Sequence, residues 1–288
     1  FGEYSVLQGS IAALIPYNRV NGQFSTGNKI NNSNSTLLSF LEYLRRDGHH
    51  TNSIIFDDYI DTEHLNNDIQ KGLFFNSTIP QNKGLGSSGA ICAAIYDCYK
   101  RKALNELSDL RKLFSHMESW FHGNSSGIDP LCIYLNRPLI LRNEEYILVN
   151  DDVHLNRNFV KPFLVDTGTE SKTEPLVHHF RELMEQKNYA TGFGGIYIPL
   201  VNEAVNQWKD GELSHRIVAD LSMAQQKYLT RMIPDEYKKV WESGLDNDLY
   251  AMKLCGSGGG GMILGFTNKM IETGIYLKKQ FDINIITV

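Results

Sequence analysis

The chain has 288 residues, of which 28 are lysine or arginine and 33 are aspartate or glutamate, so its formal net charge is −5. At roughly 150 residues per domain, this length predicts about two domains, each large enough to bury a core, and it excludes a peptide-sized module. The fractions of hydrophobic residues (42%) and charged residues (21%) are those of a folded globular protein rather than a disordered one. The mildly acidic balance argues against a nucleic acid partner, because binding a phosphate backbone needs a broad basic surface.

The sequence also lacks the features of a membrane-spanning protein and of a zinc protein. No run of about 18 apolar residues occurs, so the sequence predicts neither a membrane-spanning helix nor a membrane partner. The four cysteines form no CxxC pair and no His/Cys metal pattern, which predicts reduced thiols, a cytoplasmic location and no zinc site. The chain begins at Phe1 rather than at a methionine, and we expect further residues to precede it.

The first half of the sequence predicts helices separated by glycine-rich and polar segments. Apolar residues at helical spacing, followed by two arginines and a glycine, predict a helix near residues 37–46. A run of small residues begins at Ala90, directly after glycine-rich residues 84–89, and predicts a helix packed closely against its neighbours. The other elements predicted in this half are a strand or buried loop at 4–17, an extended segment at 53–59, a helix at 107–120, a polar loop at 122–129 and a strand at 134–141.

The second half predicts a linker, then strands and helices. A change to polar and charged residues at 150–161 predicts the linker, and a new strand begins at Phe163. Helices are predicted at 175–186 and 215–232. The end of the chain predicts strands at 250–254, 262–266 and 283–288, a glycine loop at 256–261 and a helix at 268–281. Strand-rich elements with helices on one side indicate an α+β fold.

Residues 84–89, Gly-Leu-Gly-Ser-Ser-Gly, match the G-x-G-x-x-G pattern of dinucleotide-binding folds, and Asp109 lies at a suitable distance for a ribose contact. The context opposes that interpretation, because polar residues rather than a buried strand precede the loop, and a Walker lysine is missing at its end. What remains is a glycine loop at a helix N-terminus, where unpaired N–H groups and the helix dipole favour a phosphate. We expect one serine to cap the helix and the other to reach a metal or phosphate; the alternative is a tight turn with a serine cap.

A second glycine-rich segment spans residues 253–261, in which five of the six residues at 256–261 are glycine. Such a run costs conformational entropy on folding. Between two apolar strands it therefore predicts a close approach of bare main chain to a ligand or to the other domain. The alternative is a flexible surface hairpin.

A third segment, residues 122–129, is a loop of small residues that ends at Asp129 and follows Glu118. An acidic residue in this position can approach a hydroxyl and accept its proton, and a second carboxylate can hold a divalent cation. The alternative is a carboxylate that only caps a helix.

Taken together, three segments resemble the motifs of the GHMP kinases, a superfamily of small-molecule kinases, in both order and spacing. Residues 1–9 resemble the end of the first motif, residues 84–90 the phosphate loop, and residues 253–261 the third motif. The loop at 122–129, His-Gly-Asn-Ser-Ser-Gly-Ile-Asp, is similar to the HGxPSGxD segment of mevalonate kinases. The resemblance covers essentially the whole chain.

The resemblance implies an α+β fold with a ribosomal-protein-like N-terminal domain at 1–160, a ferredoxin-like C-terminal domain at 161–288, and an active site in the cleft between them. It also implies ATP and Mg²⁺ as cofactors, with Asp129 as the base or orienting carboxylate for the acceptor hydroxyl and with Ser88 and Glu118 as Mg²⁺ ligands. The residues expected to bind the nucleotide phosphates are Lys83, Gly84, Leu85, Gly86, Ser87, Ser88 and Gly89. Those expected near the acceptor are Glu3, Tyr4, His122, Gly256, Ser257, Gly258 and Gly259.

The implied acceptor is a small hydroxy acid, with mevalonate first, because the loop at 122–129 is the most substrate-specific of the matches. Three features are more typical of phosphomevalonate kinases: Tyr4 where mevalonate kinases usually have histidine, Lys83 before the phosphate loop, and Gly89 in place of alanine. Phosphomevalonate and other metabolites therefore stay open as acceptors. The lysine that pairs with the catalytic aspartate in this superfamily would lie before Phe1.

A protein of a different class also stays open, a non-catalytic sensor of the same fold that binds a nucleotide or metabolite. The presence of Asp129, Ser88 and Glu118 favours the enzyme, because a sensor has no need of them. We expect a monomer or a homodimer that acts on a small molecule.

Overall fold

The structure, a computed structural model, describes residues 1–27, 32–47, 56–123, 125–142, 145–148, 159–171 and 173–288. The chain forms two compact units. The larger unit consists of Phe1–Ile15, Gln81–Leu85 and Pro138–Val288, and the smaller unit consists of Pro16–Pro80 and Gly86–Arg137. The domain boundary expected at residue 160 stays a prediction, because compact units and family domains are defined differently.

The regular elements come in runs: over the described residues, three consecutive helices precede the fourth strand, and five consecutive helices lie between the sixth and seventh strands. The strands are β1 (Ala12–Leu14), β2 (Gly22–Thr26), β3 (Leu73–Ser77), β4 (Leu139–Arg142), β5 (Glu145–Leu148), β6 (Lys161–Asp166), β7 (Ala251–Leu254), β8 (Met262–Thr267) and β9 (Ile286–Thr287). The helices are α1 (Asn32–Asp47), α2 (Thr62–Gln70), α3 (Ser87–Tyr99), α4 (Leu107–His122), α5 (Ile128–Leu135), α6 (Thr173–Met184), α7 (Lys187–Gly192), α8 (Ile198–Lys209), α9 (His215–Tyr228), α10 (Asp235–Asp246) and α11 (Met270–Phe281). Within the described ranges, every helix is too short or too polar to cross a bilayer.

The smaller unit packs helices α1 to α5 with the antiparallel pair β2–β3, in which Phe24 lies opposite Phe75. Helix α3 approaches α5 so closely that a Cβ atom at Gly89 would lie 3.0 Å from the main-chain nitrogen of Pro130. This contact explains why the first turns of α3 are built from small residues. The buried core of the unit includes Leu37, Phe40, Leu44, Tyr96, Phe114 and Met117.

The larger unit contains a four-stranded antiparallel sheet in the order β7-β8-β6-β9. A Cβ atom at Gly265 of β8 would lie 2.1 Å from the ring of Phe163, its partner on β6, so this position requires glycine. Trp241, Tyr197 and Tyr250 are fully buried in the same hydrophobic core. A second sheet, β1-β4-β5, belongs to this unit as well.

Most of the predicted elements are confirmed, namely α1, α3, α4, α6, α9 and the run β7, β8, α11 and β9. The strand predicted at 134–141 is wrong over its first part, because α5 continues to Leu135 and the strand begins only at Leu139. The Tyr134 ring packs edge-on against Tyr96 at 5.1 Å, and this contact fits the continued helix. The helix ends at Asn136, which has a left-handed backbone with φ 46°.

Other segments differ from the prediction or fall outside the described residues. Residues 4–17 form a 3-10 helix, Ser5–Gln8, and then the short strand β1. Of the segment predicted as extended at 53–59, residues 53–55 lie outside the described residues, and Phe56–Asp58 form a 3-10 turn. The predicted linker at 150–161 also lies mostly outside them. The elements that were not predicted are helices α2, α7, α8 and α10, strands β2, β3 and β5, and the π-helix Phe193–Tyr197 between α7 and α8.

Candidate functional site

The glycine loop before α3 shapes the start of that helix in the smaller unit. Gly86 occupies the N-cap position with a left-handed backbone (φ 71°), and no side chain caps the helix. The expectation of a serine cap is therefore wrong, because Ser87 and Ser88 already lie inside the helix. The first intrahelical bond is donated by the Ala90 N–H to the Gly86 carbonyl at 2.9 Å. The N–H groups of the first turn precede this bond and have no helical acceptor.

Two serines and a glutamate form a hydrogen-bonded cluster beside the first turn of α3. The Ser88 hydroxyl donates to Glu118 Oε1 at 3.0 Å, and the Ser125 hydroxyl donates to Glu118 Oε2. Ser125 Oγ also accepts the Gly127 N–H at 3.0 Å. Elements far apart in sequence thus converge on one carboxylate, and Ser88 and Glu118 are brought together as the prediction requires.

Glu118 is a strongly perturbed carboxyl group. Its side chain lies on α4 and the residue is 4% exposed. The pKa of Glu118 is raised to about 7, mainly by burial and secondly by the negative charge of Asp129. The hydrogen bonds from Ser125 and Ser88 act in the opposite direction. A nearby cation would relieve this cost, because it would stabilise the ionised form.

The pKa of Glu118 leads to a prediction about stability in buffer without divalent cations. Because the folded-state pKa of about 7 lies above the ordinary value of 4.5, ionising Glu118 destabilises the folded protein as the pH rises through this window. Glu118→Gln removes that cost. We expect the free energy of unfolding of the variant, relative to the natural protein, to increase by on the order of 2 kcal/mol between about pH 5 and about pH 7.5. Urea unfolding at both pH values measures it, and a constant difference would contradict it.

Asp129 lies in the first turn of α5 and is exposed. The N-cap position of this helix belongs to Gly127, which has φ 71° and no capping side chain, so the alternative of an N-capping aspartate is not what the structure shows. A Cβ atom at Gly127 would lie 2.5 Å from the Ser115 nitrogen on α4, so this turn requires glycine. The close approach of the loop to α4 sets where α5 begins, and therefore where Asp129 lies.

The donor atoms of this cluster suit Mg²⁺. Ser88 and Glu118 offer hard oxygen ligands 3.0 Å apart, and the Asp129 carboxylate lies near enough to perturb Glu118. Among the described residues, no group of three or more His, Cys, Asp or Glu side chains could hold a metal alone. Mg²⁺ typically binds through one or two carboxylates and completes its shell with water and substrate phosphates.

In the larger unit, Lys83 is held by an ion pair. Its ammonium lies 2.7 Å from Asp166 Oδ1 at the end of β6. The Lys83 carbonyl accepts the Met262 N–H at 3.0 Å. The lysine expected to contact a phosphate is therefore fixed at its main chain and neutralised at its side chain.

A second ion pair in the larger unit joins Glu3 to Lys253. The Lys253 ammonium donates to Glu3 Oε1 and to the Leu254 carbonyl, both at 2.5 Å. Both side chains are largely buried, with exposed fractions of 4% for lysine and 12% for glutamate. Burial opposes ionisation of Glu3, but the positive charges beside it, Lys253 in particular, outweigh this effect and lower its pKa.

The glycine loop at 256–261 packs against its own unit. The Gly259 N–H donates to the Met232 carbonyl at 2.6 Å. A Cβ atom at Gly258 would lie 2.5 Å from the same carbonyl, and one at Gly261 would lie 2.6 Å from the Lys83 carbonyl. The alternative of a flexible surface hairpin is therefore wrong. Gly256 differs from the other glycines of the loop, because it is exposed and a Cβ atom there would meet nothing within 4 Å.

Tyr4 and Ser257 meet beside this loop. The Tyr4 hydroxyl donates to the Ser257 carbonyl at 2.7 Å, and the Tyr4 ring packs on Phe180 with centroids 4.9 Å apart. Tyr4 has a positive φ of 61° with ψ −42°, which is costly for a bulky residue. The Ser257 hydroxyl lies within 3.1 Å of the Ser171 hydroxyl and 3.0 Å of the Thr173 hydroxyl.

The expected site residues are divided between the two units. Those in the larger unit are Glu3, Tyr4, Lys83, Gly84, Leu85, Gly256, Ser257, Gly258 and Gly259, and the others belong to the smaller unit. Within the smaller unit, Ser88, Glu118 and Asp129 form one cluster. His122 is the last residue of α4, and its side chain lies outside the described structure. Sequence reasoning missed the roles of Asp166, Lys253 and Ser125. Only Lys253 carried a signal, as a lysine in the otherwise apolar strand β7.

Two family models match the chain, and together they cover more than half of it. Residues 56–136 match the model described as GHMP kinases N terminal domain, and residues 203–273 match the one described as GHMP kinases C terminal. No curated protein matches the chain at a significant level of sequence similarity.

Solved structures with the same fold include kinases of two kinds. The L. major mevalonate kinase in complex with R-mevalonate is 16% identical with a TM-score of 0.67, covering 100% of this chain and 92% of that one. The Methanococcus jannaschii mevalonate kinase is 18% identical with a TM-score of 0.64, covering 100% and 95%. The Streptococcus pneumoniae phosphomevalonate kinase in complex with phosphomevalonate and AMPPNP is 14% identical with a TM-score of 0.64, covering 99% and 94%. At these identities the likeness establishes the fold alone.

Proposed function

This chain belongs to the GHMP kinases, which phosphorylate small molecules with ATP, and we propose that its own acceptor is a small hydroxy acid, mevalonate. The observation that carries the proposal is the cluster formed by Ser88 in the first turn of α3, Glu118 near the end of α4 and Asp129 in the first turn of α5. It combines two oxygen ligands for a cation with an exposed carboxylate beside them. A buried carboxyl group whose pKa is raised to about 7, next to a second carboxylate, is typical of functional sites.

In the proposed reaction, the first-turn N–H groups of α3 and the loop from Lys83 to Gly89 bind the phosphates of ATP. Ser88 and Glu118 hold Mg²⁺, which when bound neutralises negative charge on the phosphates. The Asp129 carboxylate orients the acceptor hydroxyl and accepts its proton. The protein contributes mainly position and charge, as phosphoryl transfer requires.

The role of Ser88 leads to a prediction about nucleotide use. Replacing Ser88 by alanine removes one cation ligand and frees one oxygen of Glu118. We expect the KM for MgATP to rise by about tenfold, the scale of one lost hydrogen bond to a charged group, while the KM for mevalonate changes little. Steady-state kinetics with each substrate varied in turn measures both constants. An equal rise in both would contradict the proposed role.

Mevalonate is proposed because the loop at 122–129 resembles the corresponding segment of mevalonate kinases. A second candidate acceptor is phosphomevalonate. It is favoured by Tyr4 and Lys83, two features typical of phosphomevalonate kinases.

A screen of ADP release tests the proposal directly. The purified chain is given MgATP with mevalonate, phosphomevalonate, homoserine or a hexose in turn. We expect release that depends on mevalonate. Release with phosphomevalonate instead would establish the second candidate. Nucleotide binding without release for any acceptor would overturn catalysis and favour the sensor.

A further inference from the structure

The ion pair between Lys83 and Asp166 places a negative charge beside a residue proposed to bind phosphate. Lys83 directly precedes the glycine loop, and its side chain is only 14% exposed, whereas that of Asp166 is 43% exposed. A lysine ammonium has three donor hydrogens. The bond of 2.7 Å to Asp166 uses one of them and leaves two for a ligand.

Asp166 is held in place from several sides. Its Oδ1 accepts the Gly168 N–H at 2.8 Å as well as the Lys83 ammonium. Its carbonyl accepts the Tyr237 hydroxyl at 3.2 Å. Burial disfavours its ionised form, but the hydrogen bonds from Lys83 and from the Gly168 N–H outweigh this effect and lower the pKa of Asp166. The carboxylate is thus charged and fixed before any ligand arrives.

The backbone of Lys83 is equally fixed, which limits the reach of its ammonium. The Met262 N–H binds the Lys83 carbonyl, and the main chain of Gly261 lies so close that a Cβ atom there would be 2.6 Å from this carbonyl. Lys83 cannot leave Asp166 by moving its main chain. A phosphate that approaches Lys83 therefore meets the Asp166 charge as well.

We propose that Asp166 sets the nucleotide affinity of this kinase by neutralising Lys83, so that the site does not retain ADP after transfer. This inference rests on the proposed function, in which Lys83 contacts the nucleotide. Without Asp166, the full positive charge of the Lys83 ammonium would attract the diphosphate of ADP, and the product would stay bound for longer. With Asp166, part of that attraction is cancelled for both nucleotides, and the product leaves faster.

The test is a calorimetric titration of MgADP into the whole chain and three variants. Asp166→Asn keeps an oxygen that can accept from Lys83 and Gly168, and it removes only the charge. We expect this variant to bind MgADP about fivefold more tightly, and the gain to shrink in about 0.5 M salt, because exposed charges are screened. Lys83→Met is expected to bind about tenfold more weakly. Asp282→Asn is the control: Asp282 is an exposed, lysine-paired aspartate at the C-cap of α11, and its substitution should leave the affinity unchanged.

The outcomes separate this inference from the function on which it rests. If the natural chain binds MgADP and Asp166→Asn binds it no more tightly, the inference is wrong and the kinase proposal stands. The inference is also wrong, and the kinase proposal again stands, if Lys83→Met leaves the affinity for MgADP unchanged. If the natural chain does not bind MgADP, the proposed function fails, and the inference fails with it. Thermal unfolding of each variant verifies that the comparison is made between folded proteins.

Discussion

Asp129→Asn is expected to lower kcat for mevalonate phosphorylation by at least about a hundredfold, the scale of a lost general base. Asparagine has the shape of aspartate but cannot accept the proton of the acceptor hydroxyl. Because Asp129 is exposed and does not cap α5, the variant should fold as the natural chain does. Steady-state kinetics at saturating MgATP measures the loss, and thermal unfolding verifies the fold.

A matched control is present in the same unit. Asp109 is also an exposed aspartate in the first turn of a helix, α4. Asp109→Asn should leave kcat within about twofold, because a surface substitution away from the site changes little. Unchanged turnover in Asp129→Asn would refute the role of Asp129. A large loss in Asp109→Asn would show that the assay responds to surface substitutions in this unit, and the loss in Asp129→Asn could then not be assigned to the chemistry of Asp129.

Lys253→Met is expected to lower the free energy of unfolding by about 3–5 kcal/mol, because it removes the positive group that is hydrogen-bonded to the buried Glu3 carboxylate. Lys253 makes hydrogen bonds to Glu3 and to the Leu254 carbonyl from within a fully buried strand, β7. Methionine fills a similar volume, so the loss reflects the charge rather than a cavity. Urea unfolding monitored by circular dichroism measures the change.

Two further variants show whether the buried charge is the cause. Adding Glu3→Gln to Lys253→Met removes the unpaired carboxylate and should recover a large part of the lost stability. Lys238→Met breaks an exposed pair with Asp235 and should cost no more than about 1 kcal/mol. If the double variant were no more stable than Lys253→Met, the pair would not explain the effect.

The sequence alone predicted the α+β class, the GHMP kinase family and most helices and strands. These depend on local chemistry. Glycine is required where the backbone is left-handed, as at Gly86 and Gly127, and apolar spacing reports which face of a helix is buried. The elements that were predicted wrongly depend on contacts between residues far apart in sequence. In α5, Tyr134 packs against Tyr96, and residues whose sequence had suggested a strand continue the helix.

Only the tertiary structure showed which groups are charged, buried and paired. Glu3 and Lys253 are 250 positions apart, and Lys83 and Asp166 are 83 apart, so neither pair leaves a pattern in the sequence. The pKa of Glu118 likewise follows from burial and from the Asp129 charge, which depend on how α3, α4 and α5 pack. The sequence determined the residues available for chemistry, because motifs are local; the fold decided their charges, because burial and charge pairing depend on atoms brought together from distant positions.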